Sequence, residues 1–327
     1  MRILLVKTSS LGDVVHNLPV ASDLRARFAD ARIDWVVEEA FAEIPRLHPA
    51  VNEVIAVALR RWRAGLLRRR TWHEVAALRA RLRGNRYDYV IDNQGLLKSA
   101  LVARLAGGTR IGLDWVSSRE PLRAFYHRTI RVPWGQHAVE RNRQLAAQAL
   151  GYAADMPSRY GIAAPPLPVP LAGAAPLHER PYAVLLHATS AADKLWPEPR
   201  WIELATRLQE RGLPCVLPWG SAAEHERSRR IARALEHALV PPRMSLTEAA
   251  AVLGSAQVVF GLDTGLCHLA AALGAATVGI YVCTEPAATG LYGAPKARNV
   301  GGRGKAPSVA EVIDAERDVL QPVEPTA

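Results

Sequence analysis

The residues best suited to chemistry lie in one apolar stretch, residues 258–281, with the sequence VVFGLDTGLCHLAAALGAATVGIY. Its spacing predicts a strand, a turn at Asp263-Thr264-Gly265, a helix over about 266–273 and a second strand. A helix that begins at such a turn has unpaired backbone N–H groups at the positive end of its dipole, which bind phosphate or diphosphate. Gly265 allows an anion to come close, and Thr264 offers a hydroxyl. An ordinary helix capped by Asp263 explains the same residues, so this stretch alone leaves both interpretations open.

The same region has no Asp, Glu, Lys or Arg from 264 to 284, which is long enough for a membrane span. Its glycines, His268 and its β-branched end favour a buried helix followed by a buried strand. We therefore expect no membrane span here.

A second candidate is Asp13, which follows the apolar strand predicted at residues 2–6. The intervening loop contains one glycine and is not a dinucleotide fingerprint, and a helix is predicted over residues 14–28. The carboxyl edge of a first parallel strand is where doubly wound sheets bind ligands. Asp13 is thus a candidate functional carboxylate, although a simple helix-capping role fits it as well.

The basic residues are concentrated in the first half of the chain. Of the net charge of +10, residues 1–163 carry 26 Lys and Arg against 15 Asp and Glu, whereas residues 164–327 carry 15 against 16. Such asymmetry predicts that the first half meets a polyanion, which is a nucleic acid, an anionic membrane or a highly phosphorylated substrate.

Arginine is densest between residues 60 and 86, where ten arginines accompany one acid, Glu74. Trp62, Trp72 and several leucines are interleaved with them. Basic residues on one helix face and Trp and Leu on the other are typical of a helix in a membrane interface. A solvated helix face is the alternative, and the tryptophans favour contact with an interface or an anionic substrate.

Strand and helix patterns alternate along both halves, which predicts an α/β protein with two Rossmann-like domains facing a central cleft. The predicted domains are residues 1–163, a Pro-rich linker at 164–181, residues 182–308, and a C-terminal helix and tail at 309–327. The apolar run at the N-terminus is too short for a signal peptide, and three cysteines lack metal-like spacing. Both observations predict a cytoplasmic protein without a metal or disulfide framework.

Several motifs together resemble the lipopolysaccharide heptosyltransferases of glycosyltransferase family 9, which have the GT-B fold. In the first half they are KTSSLGDV at 7–14, DWVVEE at 34–39, RRWR at 60–63, QGLLKS at 94–99 and HAVER at 137–141. In the second half they are HATS at 187–190, DK at 193–194, PWG at 218–220, and DTG at 263–265 with His268. The resemblance covers nearly the whole chain.

The resemblance implies an inverting transfer of L-glycero-D-manno-heptose from ADP-heptose to the first Kdo sugar of Kdo-lipid A, at the cytoplasmic face of the inner membrane. Asp13 is then the base that takes the acceptor proton, with Lys7 favouring its ionised form. Lys194 and the turn at 263–265 stabilise the departing diphosphate. The implied donor-binding residues are Thr189, Ser190, Lys194, Glu224, Met244, Asp263, Thr264, Gly265 and His268. The implied acceptor-binding residues are Lys7, Arg60, Arg61, Arg63, Lys98, Arg119, His137 and Arg141.

ADP-heptose is a co-substrate in this scheme, and neither a metal nor a separate cofactor is required. For Met244 and His268, core packing explains the residue about as well as ligand binding. The chain departs from the family at VCTEP (282–286), where a glycine–proline turn is usual, so the role of Thr284 is left open.

The alternatives are a family 9 heptosyltransferase with another acceptor, a nucleotide-sugar epimerase on the same fold and a basic nucleic-acid-binding protein. The motifs at 60–63 and 94–99 favour the Kdo acceptor. The lack of base-stacking aromatic residues disfavours nucleic acid.

Overall fold

The computed structural model describes residues 1–167, 180–189 and 191–321. Within it the chain forms two compact units, Met1–Ile162 and Ala163–Ala327. Most of the predicted linker lies outside the described residues, so the linker and the exact domain limits remain predictions.

The first unit is a parallel sheet of six strands covered by helices. Its strands are β1 (Arg2–Val6), β2 (Arg32–Glu38), β3 (Glu53–Val57), β4 (Tyr89–Asp92), β5 (Thr109–Leu113) and β6 (Arg128–Ile130). Its helices are α1 (Leu11–Val15), α2 (Leu18–Arg27), α3 (Glu43–Arg46), α4 (Leu59–Ala64), α5 (Arg69–Gly84), α6 (Leu97–Leu105) and α7 (Ala138–Leu150). Leu4, Val36 and Val90 from three of the strands pack with Leu82 of α5 in one core.

The helix predicted over residues 14–28 is wrong as a single element, because α1 ends at Val15 and α2 begins at Leu18. Pro19 lies in the first turn of α2. Proline lacks the N–H that a continuous helix requires and is well accommodated only in a first turn, so it restarts the helix here.

The arginine-rich stretch also forms two helices, α4 and α5, separated by a turn at residues 65–68. Trp62, Leu78 and Leu82 are buried in the core of this unit. The prediction that all the interleaved apolar residues form one interfacial face is therefore wrong. Leu66, Leu67 and Trp72 remain exposed.

The second unit repeats the architecture with another six-stranded parallel sheet. Its strands are β7 (Ala183–Leu186), β8 (Cys215–Val216), β9 (Ala238–Leu239), β10 (Val258–Leu262), β11 (Thr277–Tyr281) and β12 (Ala297–Gly301). Its helices are α8 (Glu198–Gln209), α9 (Ala222–Ala232), α10 (Leu246–Gly254), α11 (Gly265–Ala272), α12 (Pro286–Thr289) and α13 (Val309–Leu320). A 3₁₀ turn spans Ala192–Lys194.

The sequence analysis did not predict β9 and β12, the two edge strands of the second sheet. The first is two residues long, and the second is partly exposed, so neither has the continuous apolar run that marks a buried strand.

Both sheets have the same connectivity. The first has the order β3-β2-β1-β4-β5-β6, and the second, in the corresponding direction, β9-β8-β7-β10-β11-β12. In each sheet, the second and third strands lie on one side of the first strand, and the remaining strands lie on its other side. The strand order therefore reverses between β1 and β4 and between β7 and β10, and each reversal is a topological switch point. Ligands bind in doubly wound sheets at the carboxyl ends of these strands. The predicted α/β class with two Rossmann-like units is confirmed.

Among the described residues, no helix combines the length and apolar character that crossing a bilayer requires.

Candidate active site

In the second unit, the turn between β10 and α11 lies at the switch point. Thr264 is the N-cap of α11 in extended conformation (φ −140°, ψ 159°), and its side chain makes no capping hydrogen bond. The alternative in which Asp263 caps this helix is therefore wrong. The first-turn N–H groups have no side-chain cap, which is the arrangement that receives an anion.

The Asp263 carboxylate is instead the centre of a polar cluster. Its Oδ2 accepts hydrogen bonds from Lys194 Nζ at 2.7 Å and from Thr284 Oγ1 at 2.9 Å. Its Oδ1 lies 3.4 Å from His268 Nε2. Burial alone would raise the pKa of Asp263, but the hydrogen bonds from His268 and Lys194 outweigh it and hold this pKa well below its usual range. The cluster thus contains a fixed anion and a fixed cation.

Lys194 is oriented by this cluster rather than lying free on the surface. Its side chain is 28% exposed, and an ammonium has three N–H donors, of which Asp263 takes one. The remaining donors are suited to a phosphate oxygen. Thr284, whose role the sequence left open, joins the same cluster through Asp263.

Thr189, Glu224 and Met244 lie at the same edge of the sheet, because they follow the carboxyl ends of parallel strands. Thr189 is half-buried in the loop after β7, while Ser190 lies outside the described residues. Met244 lies between β9 and α10 and is half-buried, so it is not a fully buried core residue.

Glu224 has a clear local role at the start of α9. Its Oε2 accepts hydrogen bonds from the backbone N–H groups of Gly220 at 2.7 Å and Ser221 at 3.2 Å, which completes a capping box. This fixes the PWG turn, where Trp219 stacks on His225 with ring centroids 4.2 Å apart.

In the first unit, Asp13 lies in the first turn of α1, just beyond the carboxyl end of β1. Its Oδ2 accepts hydrogen bonds from Ser10 N at 2.7 Å and Ser10 Oγ at 3.0 Å. The side chain is therefore oriented by its own loop, and the residue is only partly buried. The contact that the helix-capping interpretation of Asp13 predicts is therefore present.

Lys7 is buried beside this loop and donates from Nζ to Asn93 O at 2.8 Å and Asn142 Oδ1 at 3.3 Å. Burial lowers the pKa of Lys7, while the nearby carboxylates of Asp13 and Asp92 oppose that change. Arg141 and Arg119 lower it further, so Lys7, Asp13 and the two arginines share one electrostatic environment.

The loops after β1 and β4 are tied together at the switch point of the first sheet. Gln94 Oε1 accepts hydrogen bonds from Thr8 N at 3.1 Å and Ser9 N at 3.0 Å, and Lys98 Nζ donates to Ser9 Oγ at 2.5 Å. Buried Asp92 in turn accepts from Gln94 N at 2.9 Å. The sequence analysis did not assign Gln94 and Asp92 to the site, although their place at the end of a buried strand was a usable signal.

Arg141 lies over the Trp134 ring, with the guanidinium carbon 3.8 Å from the ring centroid, and donates from Nη2 to Ser117 O at 2.7 Å. Burial lowers the pKa of Arg141, and Arg119 lowers it further. His137 is the buried N-cap of α7, and its Nδ1 accepts from Val139 N at 3.2 Å. Trp134 was missed because its partner is seven residues away and no local motif joins them.

The arginines of α4 form a separate group. Arg60 lies over the Phe41 ring at 5.4 Å, and Arg61 pairs with Glu39 at 3.2 Å and Glu74 at 2.8 Å. Arg63 is exposed and forms no ion pair with any described residue. No direct hydrogen bond or ion pair between described residues joins the side chains of this group to Lys7, although Glu38 accepts from Arg60 N at 3.3 Å and donates from its own N–H to Thr8 O at 3.1 Å. The predicted acceptor side chains therefore form two groups.

No group of three or more His, Cys, Asp or Glu side chains among the described residues is arranged to hold a metal ion.

The family model of glycosyltransferase family 9 (heptosyltransferase) matches residues 75–316 of this chain. Lipopolysaccharide heptosyltransferase 1 of Pseudomonas aeruginosa is 51% identical over 299 residues, which cover 90% of this chain and 82% of the relative. Two solved structures of the E. coli heptosyltransferase WaaC are each 41% identical to this chain and match 98% of it. The structure with ADP has a TM-score of 0.88 and is matched over 100% of its length. The structure with ADP-2-deoxy-2-fluoro heptose has a TM-score of 0.82 and is matched over 98% of its length. Together with the paired parallel sheets, this likeness confirms the predicted GT-B type of fold.

Proposed function

The chain belongs to glycosyltransferase family 9, the heptosyltransferases, and we propose that it moves L-glycero-D-manno-heptose from ADP-heptose to the first Kdo sugar of Kdo-lipid A. It is a transferase that acts in lipopolysaccharide core biosynthesis, as its relatives do. The Kdo acceptor and the individual residue roles below belong to the proposal.

The observation that carries the donor side is the Asp263 cluster in front of α11. Lys194 Nζ is held 2.7 Å from Asp263 Oδ2, beside first-turn N–H groups that lack a side-chain cap. A fixed cation and uncapped helix N–H groups both favour the binding of a diphosphate. His268, Thr189 and Ser190 are proposed to add contacts to the phosphates or the sugar, and Glu224 and Met244 to bind the ribose and adenine.

In the proposed reaction, the acceptor oxygen attacks the anomeric carbon while the bond from that carbon to the ADP oxygen breaks. The displacement inverts the configuration and passes through an oxocarbenium-like state. Asp13 takes the proton of the acceptor hydroxyl, and the partial burial and fixed orientation of its carboxylate support this role. Lys194 and the α11 N–H groups stabilise the negative charge on the departing ADP. The scheme needs no metal, because these groups supply the positive charge.

The acceptor carries carboxylates and phosphates, which suit the cations of the first unit. Lys98 donates to Ser9 in the loop before Asp13, Arg119 and Arg141 are close enough to act on the charge of Lys7, and Lys7 and His137 are buried. Arg60 and Arg63 are proposed to contact more distant acceptor phosphates, and Arg61 mainly to hold α4 in place through Glu74. Because this acceptor is a lipid, we propose that the enzyme works at the cytoplasmic face of the inner membrane, in contact with anionic lipid.

The test is ADP release from ADP-heptose with and without Kdo-lipid A. We expect release to depend on the acceptor, which also separates transfer from epimerisation. The Asp13→Asn variant retains the size of the side chain but not its basicity, and it should lower kcat by about 10²–10⁴-fold.

Asp30→Asn is the matched control, since Asp30 is an exposed carboxylate on a turn of the same unit, and it should retain full activity. Release that does not require the acceptor would reject the transfer reaction. Full turnover in Asp13→Asn would reject only the role of this residue.

A further inference from the structure

An exposed apolar tip protrudes from the first unit between α4 and α5. Leu67 is fully exposed, and Leu66 and Trp72 are 55% and 59% exposed. Single exposed apolar residues are ordinary on protein surfaces, but three of them within seven residues form a patch that is suited to a partner. We name this tip, residues 65–72, the leucine turn.

The leucine turn is held in shape by its own hydrogen bonds. Thr71 Oγ1 donates to Gly65 O at 2.7 Å, Trp72 Nε1 donates to Leu66 O at 2.8 Å, and Arg68 N donates to Gly65 O at 2.9 Å. A backbone that is already ordered loses little conformational entropy when its side chains bind. The two leucines are therefore exposed on an ordered backbone.

The leucine turn is surrounded by positive charge. No Asp or Glu occurs from residue 54 to residue 73. Arg61 and Arg70 are engaged by Glu74, whereas Arg63, Arg68 and Arg69 are exposed and form no ion pair with any described residue. The tip thus combines exposed apolar side chains with exposed arginines.

We propose that the leucine turn docks on an anionic phospholipid bilayer, with Leu66 and Leu67 entering the interface and Arg68 and Arg69 contacting lipid phosphates. Trp72 lies at the level of the headgroups, the depth that tryptophan prefers. A bilayer matches the tip because its anionic layer covers an apolar interior, while a nucleic acid offers the leucines no apolar region to enter. Within α4 and α5, Trp62, Leu78 and Leu82 are not available for this contact because they pack into the protein core.

This inference rests on the proposed function insofar as a lipid acceptor brings the enzyme to a bilayer, but its test does not require turnover. The full chain is sedimented with vesicles of phosphatidylcholine alone or of phosphatidylcholine mixed with phosphatidylglycerol. We expect binding to the phosphatidylglycerol vesicles that weakens as salt is added. Leu67→Glu should weaken this binding about tenfold, because it removes an apolar side chain that enters the bilayer and adds a negative charge, which anionic lipid repels.

Leu320→Glu is the matched control, since Leu320 is an exposed leucine at the end of α13 in the other unit, and it should bind vesicles as the unaltered chain does. The pair Arg68→Gln and Arg69→Gln should each weaken binding about fivefold. The same changes at exposed Arg104 and Arg233 should have a much smaller effect.

Equal vesicle binding by Leu67→Glu and the unaltered chain would overturn the inference, as would binding that does not require phosphatidylglycerol. Sensitivity to the arginine changes alone would refute insertion of the leucines. Activity with detergent-dispersed Kdo-lipid A should be unchanged in Leu67→Glu. If the unaltered chain has no such activity, the proposed function is rejected. A failure of the proposed function is therefore distinguishable from a failure of the inference about the leucine turn.

Discussion

Replacing Lys194 by methionine tests the Asp263 cluster most directly. The change leaves the side-chain length almost intact but removes the cation 2.7 Å from Asp263 Oδ2, while that carboxylate is only 10% exposed. Thr284 and His268 still contact the carboxylate, so the loss is that of one charge-assisted hydrogen bond and not that of a bare buried charge. We expect the free energy of unfolding to fall by about 2 kcal/mol.

The effect on catalysis should be larger than the effect on stability. If Lys194 faces the charge that develops on the leaving diphosphate, its loss lowers kcat by about 10²–10³-fold. Chemical denaturation measures the first quantity, and ADP release at saturating ADP-heptose and Kdo-lipid A measures the second. Lys296→Met is the control, because Lys296 is an exposed lysine of the same unit.

A double-mutant cycle with Asp263→Asn decides whether the stability loss comes from this pair. An amide needs no counter-charge, so the double variant should be about as stable as Asp263→Asn alone. Additive losses would show that the two side chains do not interact. A kcat for Lys194→Met equal to that of Lys296→Met would refute the assignment of Lys194 to the leaving group.

Two further predictions concern other parts of the molecule. Trp134→Ala should raise the Michaelis constant for Kdo-lipid A about fivefold without changing that for ADP-heptose, because Arg141 loses its stacking partner, and Trp134→Phe should restore most of the difference; equal effects on both substrates would refute a positioning role for Trp134. Burial and nearby Arg227 lower the pKa of His187 from 6.5 to about 4, so the unfolded chain binds a proton at this histidine before the folded chain does, and the folded chain loses stability as the pH falls from 6.5 towards 4. Unfolding of a His187→Gln variant should be less sensitive to pH over this range, and a pH dependence identical to that of the unaltered chain would refute this account.

The α/β class and the positions of most strands were accessible from the sequence because buried parallel strands require continuous apolar runs. The runs at β1 and β11 coincide with the observed strands. The edge strands β9 and β12 are short or partly exposed and have no continuous apolar run, so the sequence analysis missed them. The break at Pro19 was visible in the sequence, but the apolar periodicity on either side of it predicted one helix.

The location of the candidate site was also accessible in part. Asp13 and the 263–265 turn follow buried strands directly, so their place at a sheet edge follows from local sequence alone. Thr284 and Gln94 are separated in sequence from the groups they contact, and no local pattern identifies such partners. The pairing of Arg61 with Glu74 was not accessible for the same reason, since it depends on the packing of α4 against α5.

The sequence by itself determined the two α/β units, the concentration of cations in the first and the turn between a buried strand and a helix in the second, because hydrophobic periodicity and charge are properties of neighbouring residues. Only the tertiary structure decided that Asp263 joins Lys194, Thr284 and His268, and that Trp62 is buried while Leu67 is exposed. These outcomes depend on which helix faces pack against a sheet and which loops meet at its edge. Contacts between residues far apart in the sequence decide the packing of the helix faces and the meeting of the loops, and no local sequence pattern predicts such contacts.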